Sequence, residues 1–150
     1  MNPSHPGAWI TSWLCSVPLI VITVVIHVYG LSLIAEFLSE SVEGRKFRHS
    51  FIGVIGLTAL LATALHGIEG VIWAVAFRLV GALPDANSAM LYSIGAMTTF
   101  GHANLYLEKR WQMMGALEAL NGIILFGITT AFMFAIIQRV WPLRRTITHT

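Results

Sequence analysis

Three long apolar runs, separated by short polar stretches, dominate the chain. The runs cover residues 13–38, 50–81 and 111–141. Each is longer than the roughly 20 residues that an α-helix needs to cross a bilayer, so the pattern predicts three transmembrane helices. Residues 85–98 form a shorter stretch, which predicts a helix too short to cross. The strip 99–104 that follows is small and polar and contains Gly101, a residue suited to non-helical backbone.

This layout predicts a re-entrant loop between the second and third spans. Non-helical backbone at membrane depth is tolerated only where it is buried in protein or lines a water-filled path. A short helix followed by a polar, glycine-containing strip fits a loop that enters the membrane and leaves on the same side. The remaining segments are predicted to be an outer tail over 1–12, a loop over 39–49 and a tail over 142–150.

Basic residues predict the orientation of the spans. One cluster lies in the first loop, at Arg45, Lys46 and Arg48, and a second lies at the chain's end, at Arg139, Arg144 and Arg145. Because cytoplasmic segments are rich in Lys and Arg, the first loop and the C-terminal tail are predicted to be cytoplasmic, with the N-terminus outside. Pro18 is predicted to kink the first span.

Composition agrees with an integral protein of the inner or plasma membrane. The chain has 150 residues, of which 56% are hydrophobic and 11% charged, and its formal charge is only +2. A soluble domain carries about 25% charged residues. There is no basic nucleic-acid patch, and the single Cys15 excludes a disulfide within the chain. We therefore expect one transmembrane domain over 1–150, bounded by lipid and without a soluble ligand domain.

The pore region carries a family resemblance. The stretch A-M-L-Y-S-I-G-A-M-T-T-F-G-H-A-N at 89–104, followed by W-Q-M-M-G-A-L-E-A-L-N-G from residue 111, resembles the tetrameric potassium-channel superfamily, in particular small bacterial ion-channel proteins. The resemblance implies an all-α integral membrane protein with three transmembrane helices, a re-entrant pore helix and a filter loop. It further implies a homotetramer, arranged around a four-fold axis, that passes K⁺ passively along that axis, with no cofactor and no catalysed reaction.

The inner half of the filter matches the family pattern T-V-G-Y-G, in which backbone carbonyls replace the ion's hydration shell. By this resemblance, Thr98 ends the pore helix, and Thr99, Phe100 and Gly101 stand at the first three filter positions. These four residues are therefore expected to line the ion path.

The outer half of the filter departs from the pattern. His102 stands at the tyrosine, Ala103 at the second glycine and Asn104 at the acidic residue that usually follows. A softer outer filter is expected to discriminate less between K⁺ and Na⁺. Because imidazole titrates near neutral pH, His102 is a candidate pH sensor; the alternative is a packing histidine that does not respond to pH.

Residues behind the filter are assigned by the same resemblance. Glu118 lies about two turns into the third span, and it is expected to support the pore together with Tyr92. Gly122 and Gly127 are either gating hinges or sites of close helix packing. One face of the third span, with Asn121, Thr129 and Thr130, is expected to line a cavity.

A second polar group lies within the spans. His66 and Glu69 share a helix face, and His27 lies at a similar depth in the first span. They are predicted to form a buried polar cluster; the alternative is that each makes its own local hydrogen bond. No metal other than the transported cation is expected, since H-x-x-E alone is a weak signal. Two rival functions stay open: a channel relative that does not conduct, and a membrane electron carrier with haem held by His27 and His66.

Overall fold

Four α-helices account for most of the residues that the structure describes. The computed structural model describes residues 6–43, 51–101 and 104–147. The helices are α1 (Pro6–Glu43), α2 (Phe51–Leu79), α3 (Ala86–Met97) and α4 (Gln112–Ile147). Stretches long and apolar enough to cross a membrane lie in α1, α2 and α4, over Trp9–Ser39, Phe51–Leu79 and Gln112–Val140. The prediction of three apolar helices is confirmed, and they indicate a multi-pass membrane protein.

Helices α1 and α4 are longer than the apolar runs indicate. The first was predicted over 13–38, whereas α1 extends to Pro6 and Glu43 and continues on both sides of Pro18. Likewise, α4 extends to Ile147, so most of the predicted tail over 142–150 is helical. Flanking polar residues continue a helix that the apolar run has already nucleated. The predicted basic cluster at 45–48 lies outside the described residues.

Helices α1 and α4 run in the same direction. Asn121 donates a hydrogen bond from Nδ2 to Oγ1 of Thr23 at 2.7 Å, and Arg139 donates to Oγ of Ser39 at 2.9 Å. The partners are 98 and 100 residues apart, a nearly constant offset that requires parallel helices. Helix α2 packs against both. The first span, whose position the sequence left open, therefore packs on its own chain.

Helix α3 descends between the neighbouring ends of α2 and α4. Ser93 donates from Oγ to the carbonyl of Gly70 at 2.9 Å, and the backbone of Met97 lies directly against Gly122. Gly122 lies about ten residues into α4, and at 1.5 Å per residue the end of α3 reaches about 15 Å below the start of α4. The chain then returns to Gln112 at the start of α4.

Asp85 fixes the point at which α3 begins. Its backbone is extended, with φ −146°, and its carboxylate accepts hydrogen bonds from the Ser88 backbone N–H at 2.9 Å and from the Ser88 hydroxyl at 2.7 Å. These two bonds satisfy donors that a helix start otherwise leaves free. They also hold the pKa of Asp85 below its ordinary value.

Acidification is therefore expected to loosen the start of α3. Since the pKa of Asp85 is lower in the folded state, the cap stabilises fully above the unfolded value near 4 and is lost as the pH falls through the folded value. Hydrogen exchange of the Ser88 amide, corrected for its intrinsic rate, should lose protection below pH 4. Asp85→Asn, which can still cap, should remove this acid step; parallel profiles in the two proteins would contradict the assignment.

Candidate functional site

The four side chains of the polar cluster form a closed ring across three helices. His27 of α1 contacts Glu69 of α2, with Nδ1 2.7 Å from Oε1. Thr129 of α4 lies between the two imidazoles, with Oγ1 2.9 Å from Nε2 of His27 and 3.0 Å from Nε2 of His66. His66 and Glu69 close the ring at 3.2 Å between Nδ1 and Oε2. The structure thus brings together the three predicted residues and adds a fourth.

The ring lies in the middle of the bundle and is shielded from solvent. His27 and Glu69 are fully buried, and the His66 side chain is 11% exposed. Phe126 of α4 stacks on His66 with ring centroids 4.2 Å apart. One nitrogen of each histidine and one Glu69 oxygen lie within 4.8 Å of one another. A metal ion would have to displace the short contact between His27 and Glu69, so we do not assign a metal site here.

A second buried contact holds α3 against its neighbours. The hydroxyl of Ser93 contacts both the Gly70 carbonyl and Oε1 of Glu118, and all of Ser93 and Glu118 is buried. A hydroxyl has one proton, so it can donate to only one of these oxygens. A protonated Glu118 satisfies both contacts, because it then donates to Ser93, which donates to Gly70. Glu118 therefore connects α4 through α3 to α2.

Tyr92 lies on the same side of α3 as this contact. Its ring packs edge-on against Phe77 of α2, with centroids 5.3 Å apart, and its hydroxyl lies against Gly115 of α4. Both residues predicted to support the pore, Tyr92 and Glu118, thus lie between α3 and the long helices. From this position the two side chains can hold α3 in place, and neither residue belongs to the predicted filter segment that follows α3.

The two candidate hinge glycines differ in their surroundings. A Cβ at Gly122 would lie 2.2 Å from the carbonyl oxygen and 2.7 Å from Cα of Met97. At Gly127 nothing lies within 4 Å. Gly122 is therefore a site of close backbone packing, the second of the two alternatives for this position. Gly127 lies on an open face of α4.

The predicted filter segment begins as a tight turn at the end of α3. Thr99 and Gly101 adopt positive φ, at 57° and 71°, and the Gly101 N–H donates to the Gly95 carbonyl at 3.2 Å. Thr98 bonds back to its own helix, at 2.7 Å from the Ile94 carbonyl.

Most of this segment is open to the surroundings in the single chain. Phe100 is 87% exposed, and Asn104 is also exposed. His102 and Ala103 lie outside the described residues.

The chain matches no protein-family model, no curated protein and no solved structure.

The prediction that Asn121, Thr129 and Thr130 of α4 line a cavity is wrong for two of these three residues. Asn121 and Thr129 both bond to α1, through Thr23 and His27, and Asn121 is fully buried. Thr130 is exposed, and its hydroxyl bonds to the carbonyl of its own helix. Polar residues on a span bind the nearest buried partner, and α1 supplies partners that lie about 100 residues away in sequence. No local spacing could reveal them.

Proposed function

We propose that the protein is one subunit of a homotetrameric channel that conducts monovalent cations passively. In this proposal α3 is the pore helix, α2 the outer helix and α4 the inner helix of each subunit. The observation that carries it is the depth of α3, whose carboxyl end lies against Gly122, about 15 Å below the start of α4. A helix that stops there presents its end and the following turn at membrane depth.

The electrostatics of α3 favour a cation at that depth. The carboxyl end of a helix carries a partial negative charge of about half an elementary charge. In α3 that end lies beside Gly122 of α4, and within the described residues no basic side chain lies in its last turn. Four such ends around one axis would attract cations and repel anions.

The position of the turn also supports an assembly. Within the described residues, α3 packs against α2 and α4, and no Cα of α1 lies within 8 Å of one of α3. The turn at Thr98–Gly101 is exposed in the single chain, and an assembly would give the 87% exposed Phe100 a protein partner in place of lipid. A neighbouring subunit would supply that partner. With His102 and Asn104 in the outer filter, we propose conduction of K⁺ and also of Na⁺.

The geometry of the ring argues against the haem alternative. Ligation by two histidines places the iron and its macrocycle between the two imidazoles. Here the two Nε2 atoms bond to the same Thr129 hydroxyl, and the ring centroids of His27 and His66 are 5.0 Å apart. This spacing leaves no room for a porphyrin. The alternative of a channel relative that does not conduct is an outcome of the following test.

Cation flux into liposomes tests the proposal, with two glycines as a matched pair. Gly101 has φ 71° and Gly81 has φ 68°, and a Cβ at either would meet nothing within 4 Å. Alanine therefore imposes the same backbone cost of about 1–2 kcal/mol at both sites. Only Gly101 belongs to the proposed filter. We expect K⁺ flux through the wild type and the same flux through Gly81→Ala. In Gly101→Ala the flux should fall at least about tenfold, because a barrier 1.4 kcal/mol higher slows a rate tenfold.

Two results would contradict the proposal. Equal losses in both variants would show that only stability matters at Gly101. Silence of a folded, tetrameric wild type in K⁺ and Na⁺ gradients, over a range of pH, would support the non-conducting alternative. Strict preference for K⁺ in reversal potentials would leave the channel in place but overturn the proposed Na⁺ conduction.

A further inference from the structure

The ring of His27, Glu69, His66 and Thr129 is one proton short when each group is in its ordinary state. It contains four contacts, and each contact needs one proton between its two atoms. Two neutral imidazoles supply one proton each and the hydroxyl supplies a third, whereas an ionised carboxylate supplies none. Whichever tautomers the imidazoles adopt, one contact then joins two atoms that carry only lone pairs.

One of the four contacts has poorer geometry than the other three. Nδ1 of His66 and Oε2 of Glu69 are buried and lie 3.2 Å apart, yet neither makes a hydrogen bond within the described residues. The other three contacts have hydrogen-bond geometry, at 2.7, 2.9 and 3.0 Å. A fourth proton would complete the ring. It would also make the ring electrically neutral, since three protons leave a net charge of −1.

Neutrality matters because of what surrounds the ring. An uncompensated charge away from water is costly, and apolar helices enclose this site. The titratable groups of the ring are His27 from α1 and His66 and Glu69 from α2. Its neighbours from α4 are Thr129 and the ring of Phe126, neither of which titrates. Among the described residues, the ion-pair contacts of Glu69 are with these two imidazoles. A divalent metal with one carboxylate would instead leave a charge of +1.

We propose that this ring is a site that binds one proton and that the bound proton fastens α1 to α2 and α4. The proton belongs to the ring as a whole, because its groups are strongly coupled. When the proton leaves at alkaline pH, one contact is lost and a negative charge is left buried between three helices. Packing of α1 then weakens. This inference does not rest on the proposed channel, since it concerns the folding of a single chain.

Glu69→Gln tests the proton directly, because an amide completes the ring without one. The Gln oxygen accepts from His27 and its amide nitrogen donates to His66, which donates to Thr129, which donates to His27. Melting temperatures in detergent should fall by about 5 °C for the wild type between pH 6.5 and 9.5. In Glu69→Gln, which retains all six histidines, that fall should be smaller. Because Glu118 is a second buried carboxyl, the comparison is repeated in a Glu118→Gln background, where the fall should remain and should be absent once Glu69→Gln is added.

Three outcomes would overturn the proposal. The first is the same alkaline fall in the wild type and in Glu69→Gln. The second is one equivalent of zinc per chain, taken up from zinc chloride by the wild type and not by Glu69→Gln, which would put a metal in place of the proton. The third needs no variant: ¹⁵N NMR of the histidines and infrared spectra of the carboxyls at pH 6.5 should together show three protons on His27, His66 and Glu69. Only two would refute the count.

Discussion

Replacing Gly122 by alanine is expected to destabilise the protein by about 3 kcal/mol, at the upper end of the cost of overpacking. The added Cβ would lie 2.2, 2.7 and 2.8 Å from three backbone atoms of Met97, and a backbone cannot rotate out of the way as the end of a side chain can. The end of α3 must therefore move away from α4. Unfolding in detergent, followed by tryptophan fluorescence, should show a melting temperature lower by about 6–12 °C.

Gly127→Ala is the matched control for this change. It lies on the same helix, and nothing is within 4 Å of its Cβ position, so alanine there gains helix propensity of up to about 1 kcal/mol without a clash. The two substitutions should therefore shift the melting temperature in opposite directions. Equal shifts would mean that α3 does not lie against Gly122. If Gly122 were instead a hinge without close packing, its alanine variant would be as stable as that of Gly127.

His27→Leu is expected to cost about 3–5 kcal/mol, because it leaves Glu69 buried with one partner fewer. It also removes a hydrogen-bond partner of Thr129. Glu69→Leu alone should also be destabilising. In the double variant both groups of the short contact are gone, and an apolar pair replaces them. Its stability should therefore be no lower than that of His27→Leu.

A double-mutant cycle in denaturant measures this coupling. We expect a coupling energy of about 2 kcal/mol or more between His27 and Glu69, toward the upper end of the range for residues in one network. Additive costs would show that each group makes an independent local hydrogen bond, the alternative that the sequence left open. A second cycle that combines His27→Leu with Thr63→Val gives the background coupling energy. Thr63 is exposed and bonds only to its own helix in the described structure.

Much of the helical layout is predictable because it depends on local sequence. Run length and apolarity identify the three long helices, and Asp85 marks the start of α3, so the predicted short helix at 85–98 is close to the observed Ala86–Met97. Helix ends are less predictable: α1 and α4 extend into polar sequence that a composition boundary excludes. The packing of α1 on α4 depends on contacts between distant residues, which no local pattern encodes.

The residues of the candidate sites also divide into those that local spacing can pair and those that depend on distant contacts. His66 and Glu69 share a helix face and could be paired from their spacing, whereas Thr129 joins His27 across 102 residues. The close approach at Gly122 likewise depends on Met97 from another helix, so the sequence could only offer packing as one of two alternatives. Burial and hydrogen-bond partners, which belong to the packed bundle, decide these positions.

The most direct test of the channel assignment is a structure of the purified protein in thallium, a K⁺ substitute with strong anomalous scattering. The proposal expects a tetramer in which four α3 helices point their carboxyl ends at one axis, with thallium on that axis beside Thr99 and Gly101. A monomer would contradict the assignment. So would an oligomer in which the segment at Thr98–Gly101 faces away from the symmetry axis, or in which the axis holds no ion.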